Sequence, residues 1–133
     1  MNKPNRIIAE PAKILIVEDE AIVAMEIQDI LETNGYAVAG LAATGEDAVR
    51  KALDTRPDLV LMDITLRGGI NGIEAAARIL DARIIPVLFL TAAADQAGIR
   101  RVRERTACGF VSKPFEERGF LSEVRRILQA AHR

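Results

Sequence analysis

The chain of 133 residues predicts an α/β fold, a doubly wound parallel sheet of five strands alternating with five helices. Three observations carry that expectation. Short apolar runs recur along the chain, separated by segments whose apolar residues return at helical spacing. The runs place large apolar residues at consecutive rather than alternate positions, as strands covered on both faces do. Several of them end abruptly in a polar residue, and the carboxyl edge of such a sheet is where ligands bind.

Lys13-Ile14-Leu15-Ile16-Val17 is the first strand, closed by Glu18-Asp19-Glu20. In the helix that follows, Val23, Ile27, Ile30 and Leu31 form an apolar stripe that Ile22 and Met25 widen, and Asn34-Gly35 supplies a left-handed stop. Tyr36 to Ala43 is less apolar and contains Gly40, which suits an edge strand. Thr44, followed three residues on by Asp47, resembles a capping box and opens a helix striped by Ala48, Val49, Ala52 and Leu53; Arg56-Pro57 ends it. The third strand is Leu59-Val60-Leu61-Met62, ending in Asp63.

Beyond it, Gly68, Gly69 and Gly72 mark a loop of permissive backbone, and Ile73, Ala76, Ala77 and Leu80 share one face of a third helix. Ile84 to Leu90 is the fourth strand, with Pro86 near its start and Thr91-Ala92-Ala93-Ala94 at its exit. Asp95 caps a fourth helix running through Arg105, whose only large apolar anchors are Ile99 and Val102; its hold on the core should be weak. Gly109 to Ser112 is the last strand, ending at Lys113-Pro114, and Phe120, Val124, Ile127 and Leu128 stripe the final helix. The alternation implies right-handed crossovers and the flavodoxin-like strand order 2-1-3-4-5.

Half of the residues are hydrophobic, which suits one compact core. The expected division is a short polar arm at 1–11 and a single domain at 12–133, with little room for an attached output domain. A net charge of -1 argues against attachment to nucleic acid or anionic lipid through bulk charge. The one cysteine, Cys108, excludes an internal disulfide and a cysteine-rich zinc site, fits a reducing cytoplasm and reads as a small core residue. The arm lacks the apolar core of a signal peptide, and no run is long enough to span a bilayer.

In the expected strand order, Glu18, Asp19, Asp63, Thr91 and Lys113 converge on one edge. Three carboxylates that close repel and raise one another's pKa, so the cluster calls for a cation. The ligands are all oxygen and too few for a closed cage, which favours Mg²⁺ with retained waters over Zn²⁺. A carboxylate beside Mg²⁺ can attack phosphorus to give an aspartyl phosphate, and Asp63 is the candidate. Lys113 would neutralise the transferring group while the Thr91 hydroxyl donates to one of its oxygens.

Four segments, Ile16-Val17-Glu18-Asp19, Leu61-Met62-Asp63, Phe89-Leu90-Thr91-Ala92 and Ser112-Lys113-Pro114-Phe115, stand in order, each at a strand end. With them the chain from Lys13 to Ala131 resembles the receiver domain of two-component response regulators. The resemblance implies a phosphorylation-controlled signalling module rather than an enzyme acting on other substrates. Asp63 would accept a phosphoryl group from the phosphohistidine of a sensor histidine kinase or histidine phosphotransfer domain, with Mg²⁺ or Mn²⁺ required. Asp19 matches the direct metal ligand, Glu18 its water-mediated neighbour, and Asp63 and the backbone carbonyl of Thr65 complete the set. Thr91, Ala92 and Lys113 match the phosphoryl contacts, Phe110 the aromatic switch, and Pro114 a cis-proline.

On that pattern Thr91 moves toward the phosphoryl group, Phe110 turns inward, and the face of the fourth helix, fifth strand and fifth helix is remodelled for a downstream protein or a homodimer. Neither direct nucleic-acid binding nor a membrane is expected. The chain departs from the pattern at Glu18, where aspartate is commoner, and at Phe110, where tyrosine is frequent. It departs again at Gly68-Gly69, which stand where a Met-Pro pair is usual, in a loop one residue longer than the pattern.

Other readings fit less well. Asp63-Ile64-Thr65 resembles the nucleophile motif of haloacid-dehalogenase-type phosphatases, but Thr65 stands where those enzymes need a second acid. Flavin binding on the same fold needs Gly or hydroxyl residues where Glu18 and Asp19 stand. A phosphorylation-independent interaction module would not need the full set of reactive groups. Arg100, Arg101, Arg103 and Arg105, with Arg125 and Arg126, read first as a solvated face and second as a partner contact. His132 has no companion and is assigned nothing.

Overall fold

The computed structural model describes residues 10–92 and 95–131; residues 1–9 of the expected arm, Ala93, Ala94, His132 and Arg133 lie outside the described residues. In chain order the elements are β1 (Lys13–Val17), α1 (Ala21–Thr33), β2 (Ala37–Ala42), α2 (Gly45–Thr55), β3 (Leu59–Asp63), α3 (Gly72–Ala82), β4 (Val87–Thr91), α4 (Gln96–Arg103), β5 (Cys108–Ser112) and α5 (Glu117–Ala131). The five strands pair in parallel in the order β2-β1-β3-β4-β5, as the sequence predicts. Among the described residues no helix is long and apolar enough to cross a membrane.

The consecutive apolar residues of the strands divide by parity, because successive side chains leave a strand on opposite faces. Leu15, Val17, Val60, Met62, Val87 and Phe89 join one core with residues of α2, α3 and α4. Their sequence neighbours Ile14, Ile16, Leu59, Leu61, Leu88 and Leu90 join the other, with α1 and α5. Every residue of β3, the central strand, and of its neighbour β4 is buried, so packing on both faces holds their exits in place. Each fully buried Leu, Ile or Phe contributes about 1.5–3 kcal/mol.

Helix ends follow the expected chemistry. Gly35 stands at φ 90° and the Tyr36 N–H reaches the Leu31 carbonyl at 3.0 Å, stopping α1. Thr44 Oγ1 accepts from the Asp47 N–H at 3.1 Å, while the Asp47 carboxylate itself lies against Arg50 and Lys51. Asn71 and Asp95 cap α3 and α4 through the N–H groups of Glu74 and Gly98, each at 2.9 Å.

Several expectations need correction. Ile22 and Met25 do not widen the buried stripe of α1; they are 76% and 63% exposed, and Ala24, Ile27 and Leu31 make the core contact. At about 100° per residue they stand roughly 140° and 160° around the helix from Ile27. Leu53 is likewise exposed on α2. The fourth strand begins at Val87 rather than Ile84, which is exposed. Pro86 offers its carbonyl to the Val60 N–H at 3.0 Å but has no N–H to give the ladder. The fifth strand begins one residue earlier, at buried Cys108. The fourth helix stops at Arg103, and Arg105 turns back to α3, where it meets Asp81 Oδ1 at 2.7 Å and the Ala77 carbonyl at 3.4 Å. Arg126 is paired within α5 to Glu123 at 2.8 Å.

Candidate functional site

The sheet delivers each polar exit to one edge. Glu18 and Asp19 follow β1, Asp63 closes β3, Thr91 closes β4, and Lys113 follows β5. Backbone bonds fix the exits to one another: the Glu18 N–H donates to the Ala42 carbonyl at 2.9 Å, Ile64 to Leu90 at 3.2 Å, and Lys113 to Thr91 at 2.8 Å. The Lys113-Pro114 peptide is cis. Glu18, Asp63 and Thr91 are 3%, 5% and 1% exposed, so three polar residues lie buried at the mouth of the sheet.

Glu18, Asp19 and Asp63 each offer a carboxylate oxygen, and these oxygens lie within 4.8 Å of one another, a grouping that could hold a metal ion. The Lys113 ammonium donates to Glu18 Oε1 at 2.7 Å and to Asp63 Oδ2 at 3.2 Å. Asp63 Oδ1 accepts from the Thr65 N–H at 3.0 Å, and Glu18 Oε2 from the Glu20 N–H at 3.2 Å. The donor set is oxygen throughout, and one ammonium faces the buried pair Glu18 and Asp63, which suits a hard divalent cation.

Burial, and after it the negative charge of Glu18, pushes the Asp63 carboxyl up from 3.8 to about 6, against the pull of Lys113 and the Thr65 N–H. Repulsion among the acids is therefore present, but desolvation is the larger cause. Burial disfavours the Lys113 ammonium too, yet its contacts with Glu18 and Asp63 outweigh that and hold its pKa above the ordinary lysine value.

Above the acids is a cleft of about 390 Å³ bordered by Asp19, Asp63, Thr65, Arg67, Ala92 and Lys113. An apolar groove of about 600 Å³ adjoins it, between Val23, Ile27 and Ile30 of α1 and Phe115, with Ala92 and Lys113 common to both. Phe110, in the middle of β5, is half-buried against the core on the α4 side of the sheet. The loop after Asp63 is seated by close backbone approach. A Cβ on Gly72 would stand 2.1 Å from the Asp63 carbonyl oxygen, and one on Gly45 would stand 2.5 Å from the buried side chain of Ile70.

Arg67 is the site residue that sequence reasoning misses. Its N–H donates to Asp19 Oδ2 at 3.2 Å and its Nε lies 3.4 Å from the same oxygen. The only signal in the sequence is a cation placed four residues after Asp63 in a glycine-rich loop.

A doubly wound parallel sheet whose carboxyl edge gathers three acids, a hydroxyl and a lysine defines a class, the signalling domains of receiver type. The chain belongs to the family described as the response regulator receiver domain, whose sequence model matches residues 14–125. It is 38% identical over 107 residues to the transcriptional regulatory protein PdtaR of Mycobacterium tuberculosis, a match covering 80% of this chain and 52% of that protein. The chain thus spans about half the length of that relative. It is also 37% identical over 107 residues to the chemotaxis protein CheY of Thermotoga maritima, across 78% of this chain and 87% of the other. Among solved structures it resembles the N-terminal domain of a response regulator/sensory box/GGDEF 3-domain protein from Carboxydothermus hydrogenoformans, with a TM-score of 0.78, 39% identity, and coverage of 89% of this chain and 94% of that one.

Proposed function

We propose that residues 12–133 act as one phosphorylation-controlled receiver unit in which Asp63 accepts a phosphoryl group from a phosphohistidine. The observation that carries the reading is the Lys113 ammonium bridging Glu18 and Asp63 inside the carboxylate cluster. Asp63 is the acid that closes the central strand, opens on the cleft and is fixed at one oxygen by the Thr65 N–H. With its pKa near 6 it is mostly ionised at neutral pH and can attack phosphorus through a carboxylate oxygen. The new O–P bond forms as the P–N bond to the donor imidazole breaks, and that nitrogen keeps the bonding pair.

Asp19, Glu18, Asp63 and the Thr65 carbonyl would hold Mg²⁺ or Mn²⁺, which supplies charge neutralisation for the transferring group. Lys113 exchanges part of its contact with Asp63 for a phosphoryl oxygen, keeping Glu18 as its second partner. The Thr91 hydroxyl donates to another oxygen, and the backbone at Ala92 borders the group. Phe110, half-buried in β5, would turn further inward. Because α4 has eight residues and buries only Gly98, Ile99 and Val102, a modest free-energy change in the adjoining segment is enough to shift it. The face of α4, β5 and α5 is then the output surface, where Arg100, Arg101, Arg103 and Arg125 are exposed.

The phosphodonor is a sensor histidine kinase or a histidine phosphotransfer domain. Ile22 and Met25, large apolar side chains left exposed on α1, are the patch we assign to it. The test is incubation with Mg²⁺ and acetyl phosphate, followed by intact-mass measurement. Wild type should gain one phosphoryl group and Asp63→Asn none; equal labelling of both would remove Asp63 from the reaction.

A further inference from the structure

We propose that Arg67 is an internal competitor of the metal: its guanidinium holds the Asp19 carboxylate in the metal-free protein and must leave it when a divalent cation binds. The inference rests on the reading of Asp19 as a metal ligand. Two donors of one residue converge on a single oxygen of Asp19, the main-chain N–H of Arg67 at 3.2 Å and its Nε at 3.4 Å. That carboxylate belongs to the triad whose oxygens lie within 4.8 Å of one another. The Arg67 charge therefore sits beside the position that a cation shared by the three acids would take.

The two donors differ in freedom. The main chain is held by the loop: Gly68 turns it at φ 101°, Ile70 is buried against Gly45, and the Gly72 N–H bonds the Ile64 carbonyl at 2.8 Å. The Arg67 side chain is 80% exposed, whereas that of Asp19 is 12% exposed. A cation arriving at Asp19 thus meets a carboxylate held at Oδ2 both by a main-chain amide that the loop fixes and by an exposed guanidinium that is free to swing into water. Charge repulsion drives that exit, since a divalent ion and a guanidinium on one carboxylate oxygen repel strongly. The loop that carries Gly68 and Gly69 builds the pair, and through it the path of this loop sets how readily the site loads.

The test is Mn²⁺ binding to the full chain, followed by loss of the paramagnetic resonance signal of the free ion, for wild type, Arg67→Ala, Asp19→Asn and the double variant. An exposed ion pair predicts that Arg67→Ala binds Mn²⁺ about threefold more tightly. Asp19→Asn should bind more weakly, and in that background the gain from Arg67→Ala should vanish, since the two residues act through one contact. Unchanged or weaker binding in Arg67→Ala overturns the proposal. So does an equal gain with and without Asp19, which would reduce Arg67 to a distant charge. Failure of the metal reading itself looks different: Asp19→Asn would then bind Mn²⁺ as wild type does, and the competition would fall with it.

Discussion

Replacing Asp63 with asparagine should stabilise the metal-free protein at neutral and alkaline pH and leave it unaffected in acid. The folded carboxyl titrates near 6 and the unfolded one near 3.8, so the fold binds this proton more tightly than the unfolded chain. Stability from that preference is fully present below pH 3.8 and is lost as pH rises through 6. A displacement of about two units corresponds to about 3 kcal/mol, an upper bound that solvent in the open cleft reduces to about 1.5 kcal/mol. Asparagine keeps the shape and removes the charge. For a chain of this size, about 1.5 kcal/mol raises the melting temperature by roughly 5 °C. The assay is thermal unfolding followed by circular dichroism, in chelator, from pH 4 to pH 8. The variant should match wild type near pH 4, draw ahead between pH 4 and 6, and keep a constant lead above; added Mg²⁺ should narrow that lead. An Asp63→Asn protein less stable than wild type at pH 8, or one whose lead persists unchanged at pH 4, would refute the reasoning.

Gly72→Ala should destabilise by about 1–3 kcal/mol, because its Cβ would enter the Asp63 carbonyl, whereas Gly119→Ala, with open space around it, should stabilise α5 by about 0.5–1 kcal/mol; denaturant titration separates the two. Thr44→Ala should cost about 1 kcal/mol through the lost cap on the Asp47 N–H, read in the same titration. Ile22→Ser with Met25→Ser should change stability by less than about 0.5 kcal/mol yet slow phosphoryl transfer from a phosphohistidine protein, while labelling by acetyl phosphate stays at the wild-type rate.

The strands and their polar exits are legible in the sequence because they are local. An unbroken apolar run such as Leu59-Val60-Leu61-Met62 has few places to go except between two layers, and its parallel neighbours then carry Glu18, Thr91 and Lys113 to the edge where Asp63 stands. Surface apolar residues are not legible in the same way. Ile22 and Met25 lie among core residues in sequence, and hydropathy does not say which side of a helix a partner will want. Pairings across the fold are also hidden. Arg67 meets Asp19 from 48 positions away, and that meeting depends on where the loop after β3 runs. Clustered acids already imply a raised carboxyl pKa, but burial, the main cause at Asp63, emerges only with the packed strand around it.

The chain's one cysteine gives the protein a practical property. Cys108 is buried in the core shared with α4, and burial pushes its thiol up to about 11. At pH 7 only about one thiol in ten thousand is then a thiolate, so the native residue is close to inert toward maleimides. A reporter cysteine placed on exposed Arg100 or Arg125 could be tagged without removing Cys108, and a dye there would follow the α4 and α5 surface in an otherwise unaltered chain.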